Sequence, residues 1–283
     1  MPFPLSAATV LAPLQMLMIE LARLLLWLAL VMAIFVPLER RFPQRRQPVL
    51  RPQFAADLGL FFLNGLLPKL LLALPLSALA WLFHSLAHSG YFAAMAVMPM
   101  RLRFVLALVV GDAGAYWGHR LSHELPLLWR WHRVHHSAEA MDWLVNTRAH
   151  PFDLCITRLS GLVPIYLLGL AQPSAGSFDM VPILYAIIGT IWSFFVHANL
   201  GLRFGALEGL VATPAFHHWH HAVDGAVAAN RNYAAMFPWI DRLFGSHWLP
   251  SRCWPERYGI PAAPALTATP APDPAGLNLQ SRK

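Results

Sequence analysis

Three groups of histidines in this chain have the spacing of metal ligands: His119 and His123; His132, His135 and His136; and His217, His220 and His221. On a helix, residues at i, i+3 and i+4 project from one face, so each group would present its rings together. Neutral imidazole binds iron, zinc and copper, and ligand sets on adjacent helices can hold two ions close together. A lone histidine in an apolar chain is more often an interfacial residue. An HxxxH followed by two HxxHH groups is not explained that way.

Further residues fall near these groups. His197 closes an apolar run and is a candidate ninth ligand, because an ionisable group there is a functional candidate. His150, just before Pro151, is a candidate ligand or ligand partner. Ligating imidazoles usually donate their other N–H to a carboxylate or carbonyl. Asp112 shares a helical face with Tyr116 and His119, which makes Asp112 the candidate partner; its rival role is to pair an arginine at a span end. His84 and His88 also stand at i, i+4 but at the far end of their span, and are left out. His247 reads as a surface residue, and His218 faces away from the 217/220/221 face.

The elements that position these residues are membrane helices. The composition is 57% hydrophobic and 12% charged, which points to an all-α, polytopic membrane bundle. The formal charge of +7 comes largely from arginines clustered between apolar runs, a pattern of membrane orientation and not of nucleic-acid binding. Cys155 and Cys253 form neither a disulfide framework nor a CxxC metal site. The first apolar run lacks a preceding positive segment and a small-residue cleavage site, so it is expected to be a membrane helix.

That helix, centred on 24–38, is followed at once by Arg40, Arg41, Arg45, Arg46 and Arg51, which favours the cytoplasmic side. The apolar stretch 55–94 reads as one long kinked helix, or as a span preceded by an interfacial helix. A span over 102–118 then returns the chain to the arginine face. The runs 159–178 and 180–202 form a hairpin that delivers His197 and the last histidine group to that same face. Arg101 and Arg103 fall outside. The histidines thus cap the cytoplasmic end of the bundle. The division expected is 1–54 as first helix and basic loop, 55–258 as the histidine-box domain, and 259–283 as a disordered Pro/Ala-rich tail.

The ordered text around these groups resembles the fatty acid hydroxylase/sterol desaturase superfamily of membrane di-iron proteins. The matching segments are Asp112 to His123, Leu128 to Ser137, Arg148 to Pro151, His197 to Leu200, Thr213 to His221, Asn232-Tyr233 and Trp239 to Gly245. The resemblance implies four or five membrane helices and eight box histidines holding two irons (Fe2+/Fe3+), with His197 matching a further family histidine. Asn199 and Asn232 join Asp112, Tyr116 and His150 as partners around the ligands. It implies O2-dependent hydroxylation or desaturation of a lipid, fatty-acyl or sterol-like substrate. Departures are Gly201, where some relatives have another histidine, Ala234 in place of a glycine, and one inserted residue in WIDRLFG. No haem or flavin motif is present, so electrons would come from a reductase, ferredoxin or b5-type cytochrome; Arg120, Arg133 and Arg148 are either its docking face or solvated arginines of the cytoplasmic side.

Other classes fit less well. A metal transporter would place ligands in mid-membrane along a path. A zinc hydrolase would carry HExxH or a nearby general-base glutamate.

Overall fold

The computed structural model describes residues 7–86, 90–171, 179–223, 230–251 and 253–260. Four long helices dominate: α1 (Ala7–Arg41), α2 (Phe54–Leu86), α4 (Met100–Glu124) and α7 (Met180–His197). Short helices α3 (Gly90–Ala96), α5 (Pro126–His132), α8 (Pro214–His220) and α9 (Pro238–Leu243), with the mid-length α6 (Pro151–Leu167), complete the α-helices among the described residues. The chain is an all-α membrane bundle; among the described residues there is no strand. By length and composition α1, α2 and α7 can each cross a bilayer, and α3 with α4, bent by 112°, counts as a fourth if taken as one span. Their outward surfaces fit that solvent: Leu26, Leu70, Leu74 and Trp81 are all strongly exposed.

The apolar stretch 55–94 resolves into one helix that continues through Pro68 and Pro75, followed by the separate α3. The span expected over 159–178 differs more. Its helix, α6, runs from Pro151 and ends at Leu167, because Pro151 at the first helical position starts it eight residues early. Residues 172–178 lie outside the described residues, as do His88, the side chain of His84, and the tail beyond residue 260. The hairpin itself is present: α6 begins at the histidine cluster and α7 ends there on His197.

Close approach of α4 to α6 depends on two glycines. A Cβ at Gly114 would collide with the backbone carbonyl of Ser160, and one at Gly118 with the Ser160 side chain. Gly118→Val is therefore expected to destabilise the protein by about 1–3 kcal/mol through overpacking, read as a lowered thermal midpoint.

The loop between α1 and α2 is fastened to the histidine end. Glu39 accepts hydrogen bonds from the backbone N–H groups of Trp143 (2.8 Å) and Asn199 (2.9 Å). Arg51 is buried and grips Asp142 through two nitrogens, each at 2.7 Å, and Asp57 at 2.7 Å; Arg148 reaches the other Asp57 oxygen at 2.7 Å. This buried network joins the foot of α2 to residues 142–148.

Candidate metal centre

Four of the helices near the cluster start on a proline at the first helical position: Pro126, Pro151, Pro214 and Pro238. A proline there fixes where the helix begins and so which way later side chains point. In α8 it aims His217 and His220 inward, with His221 at the helix end. His119 and His123 occupy the last two turns of α4. The group 132/135/136 departs from a single helical face: α5 ends at His132, and His135–Ser137 form a separate 3-10 turn.

That break divides the group. His119, His123, His132, His136 and His220 form one set whose ligand atoms lie within 4.8 Å of one another, and His135, His197, His217 and His221 form a second. The sets adjoin, with the rings of His136 and His221 stacked at 4.5 Å between centroids. The eight histidines of the three groups and His197 are all gathered here.

The hydrogen bonds decide what such a cluster can hold. His119 Nδ1 donates to the Tyr233 carbonyl (2.7 Å), and His132 Nδ1 to the Asp153 carboxylate (3.0 Å). Each ring then presents a lone pair at Nε2, yet the two Nε2 atoms are 3.1 Å apart. The second set repeats the arrangement. His135 Nδ1 donates to the Arg148 carbonyl (2.9 Å) and His197 Nδ1 to the Ser193 carbonyl (2.7 Å), with their Nε2 atoms 3.1 Å apart. In His220, Nδ1 donates to the Arg231 carbonyl (2.7 Å) while Nε2 is buried with no hydrogen-bond partner. Converging lone pairs repel unless a proton or a cation lies between them. Protonation is opposed: burial first, then neighbouring imidazoles, hold His135, His136, His217, His220 and His221 well below the ordinary histidine range. The residues fit metal ions.

The carbonyls that orient these rings are themselves held. Asp112 accepts from the backbone N–H groups of Ala235 (3.0 Å), Met236 (3.1 Å) and Phe237 (2.7 Å), and Asp241 from those of Tyr233 (2.8 Å) and Ala234 (2.9 Å). Two carboxylates thus build the loop that offers Tyr233 to His119. The Asp57–Arg148 ion pair does the same for the carbonyl that faces His135.

Several expected partners stand elsewhere. Asp112 meets neither a ligand ring nor an arginine, because backbone amides occupy both its oxygens. Tyr116 bonds Ser246 (2.8 Å) and Arg120 (3.1 Å). His150 caps α6 by accepting from the Phe152 N–H and belongs to neither set. Asn199 clasps the backbone of Arg45 on both sides, and Asn232 bridges Phe216 and Trp248. His218 is buried against Tyr258 and the Ala198 carbonyl, away from both sets. His247 is half-buried, its ring 5.6 Å from that of Phe216, and not a surface residue. Arg148 is buried in its ion pair and Arg120 is paired with Glu124, leaving Arg133 the one fully exposed member of the expected docking face. The carboxylate that touches a candidate ligand among the described residues is Asp153, which sequence reasoning missed. Its one signal was an acidic residue in the first turn of a helix beginning at His150-Pro151.

A family model for fatty acid hydroxylases matches residues 104–246, a little over half of the chain and the segment that contains all nine histidines of the two sets. The chain belongs to the fatty acid hydroxylase family. It is similar to the ornithine lipid hydroxylase OlsE of Rhizobium tropici, 37% identical over 155 residues that cover 54% of this chain and 44% of the relative. It also resembles the alkylglycerol monooxygenase of Danio rerio, at 31% identity over 50% of this chain and 29% of the relative. A third relative is a Delta(7)-sterol 5(6)-desaturase of Gibberella zeae, at 28% identity over 52% of this chain and 42% of the relative. The match thus spans less than half the length of each. No solved structure matches the chain. For this hydroxylase-family chain, the shared segment is the one that builds the cluster, while α1, α2 and α3 lie outside it.

Proposed function

We propose that this chain is a membrane di-iron oxygenase that hydroxylates a C–H bond of a lipid, with desaturation as the alternative outcome at the same centre. The observation that carries the reading is the pair of adjoining imidazole sets whose unprotonated nitrogens converge. His119, His123, His132, His136 and His220 would hold one iron, and His135, His197, His217 and His221 the other. Bound there, the two irons would supply activation of O2 for attack on an unactivated C–H bond.

The chain's own contribution is placement. Burial opposes protonation of His135, His136, His217, His220 and His221 and so favours the neutral form that ligates, and the carbonyls of Tyr233, Arg148, Ser193 and Arg231 fix which nitrogen of the rings they hold faces the metal. Two ligand-bearing helices, α4 and α7, are apolar along most of their length and reach the centre directly. A lipid lying beside them can bring a chain carbon to the metals without leaving apolar surroundings. Residues 55–258 form the catalytic unit in this reading, and 1–54 the first helix with its basic loop. The histidine end faces the cytoplasm, supported by the arginines of residues 40–51. On the opposite end Arg103 is paired with Asp179 at 2.8 Å, so its charge is largely matched. Electrons come from a separate reductase, ferredoxin or b5-type cytochrome.

Metal analysis of the purified protein tests the reading. Two irons per chain, with O2 consumed on adding reductant and a lipid, is the expected result. A single zinc with no redox response would sink it in favour of a hydrolase. Tightly bound metal without O2 consumption would favour a transport or storage role.

A further inference from the structure

Where α1 leaves the membrane region, the chain encloses a cavity of about 330 Å³ walled by Arg40, Arg41, Arg45, Arg46, Trp143 and Asn199. It is separate from the histidine sets. Its walls carry two carboxylates whose oxygens are turned to other partners: Glu39 accepts from two backbone N–H groups, and Asp142 is paired with Arg51. Arg45 lies over the Tyr258 ring and donates to the Pro255 carbonyl. Arg40, Arg41 and Arg46 are exposed and form no ion pair among the described residues. Three guanidiniums therefore stand around one polar cavity without an ion-pair partner among the described residues.

The loop that holds them is set in advance. Asn199 accepts from the Arg45 N–H (3.0 Å) and donates to the Arg45 carbonyl (2.8 Å). The Gln44 N–H reaches the Asn199 carbonyl (3.1 Å), and the Gly201 N–H reaches the Phe42 carbonyl (2.9 Å). A preformed site spares a ligand the ordering cost of assembling it. Guanidinium forks match the oxygens of a phosphate or carboxylate, and each added anion relieves the mutual repulsion of the arginines. The location narrows the source. These arginines directly follow a membrane-spanning run, at the level where lipid head groups lie, and basic clusters there attract anionic lipid.

We propose that this cavity binds the anionic head group of a membrane lipid, a phosphodiester or carboxylate, and so ties the end of α1 and the basic loop to the membrane surface. The site is independent of the metal chemistry.

The test uses the full metal-loaded chain in phosphatidylcholine nanodiscs with and without phosphatidylglycerol, and reads retained lipid by native mass spectrometry. Wild type is expected to retain phosphatidylglycerol. The Arg40→Ala/Arg41→Ala/Arg46→Ala variant should retain it at least about tenfold less, since each juxtamembrane arginine contributes to the attraction. The control Arg130→Ala/Arg133→Ala, on exposed arginines elsewhere, should stay within about twofold of wild type, because attraction falls off within a Debye length. Thermal unfolding in pure phosphatidylcholine shows whether the triple variant is folded; if it is not, Arg46→Ala alone carries the comparison, with a partial loss expected. Equal loss in both variant sets, or none in either, overturns the proposal. Displacement of the lipid by millimolar inorganic phosphate would assign the cavity to a soluble anion instead and overturn it too.

Discussion

His220→Ala and His135→Ala are each expected to abolish activity and to remove one metal ion per chain, with the remaining ion bound in the other set. His220 belongs to the five-imidazole set and His135 to the four-imidazole set, so each change opens a different site. Even a residue that only touches a ligand is worth about 10–100-fold in metal affinity, so losing a ligand should leave activity below about one per cent. The sharp comparison is His218→Ala. His218 lies between two histidines of the same helix and is as buried as they are, yet both its nitrogens are used, by Tyr258 and the Ala198 carbonyl. That variant is expected to keep both metals and to lose about 1–3 kcal/mol of stability, because it leaves buried groups without partners. Metal stoichiometry and a melting curve on the three proteins check this. If His218→Ala strips metal as completely as His220→Ala, the division of roles within the HHWHH stretch is wrong.

Asp153→Asn should weaken metal binding in the five-imidazole set by about 10–100-fold while sparing the four-imidazole set. Asp153 is buried, and both its oxygens lie within 3.1 Å of His132 Nδ1. The other orienting acceptors found around the ligands are neutral carbonyls. A carboxylate polarises the ring it holds more strongly than a carbonyl does, and the first turn of α6 favours the charge where it stands. Asparagine preserves the shape and removes the charge. A chelator titration that follows the two metals separately reads the outcome. Uniform weakening of both sites, or no change, would mean that Asp153 serves the fold and not the metal. His150→Ala, three residues away on the same helix start but outside both sets, should leave the chelator curve unaltered.

Much of this centre was legible in the chain. Spacing named the eight box histidines, and the apolar hairpin between residues 159 and 202 required that His197 and the last group return to the first. Those inferences rest on helix periodicity and span length, which local sequence dictates. The division of the ligands was not legible. Spacing treats His132, His135 and His136 as one face of a continuing helix, but α5 stops at His132 and the 3-10 turn carries His135 to the other set. Where a helix stops within a packed cap is a tertiary matter. The partners were hidden for a related reason. Every residue has a carbonyl, so nothing in the text marks Tyr233, Arg148, Ser193 or Arg231 as the ones that would meet a ring. Asp112 was the carboxylate nearest in sequence to His119 on a shared face, and the fold gave its oxygens to the amides of residues 235–237. Asp153, twenty-one residues from His132, took the partner role only because α6 packs its first turn against the end of α5. Sequence set the candidate ligands and their common end of the bundle; three-dimensional packing decided which set each ring joins and which oxygen holds it there.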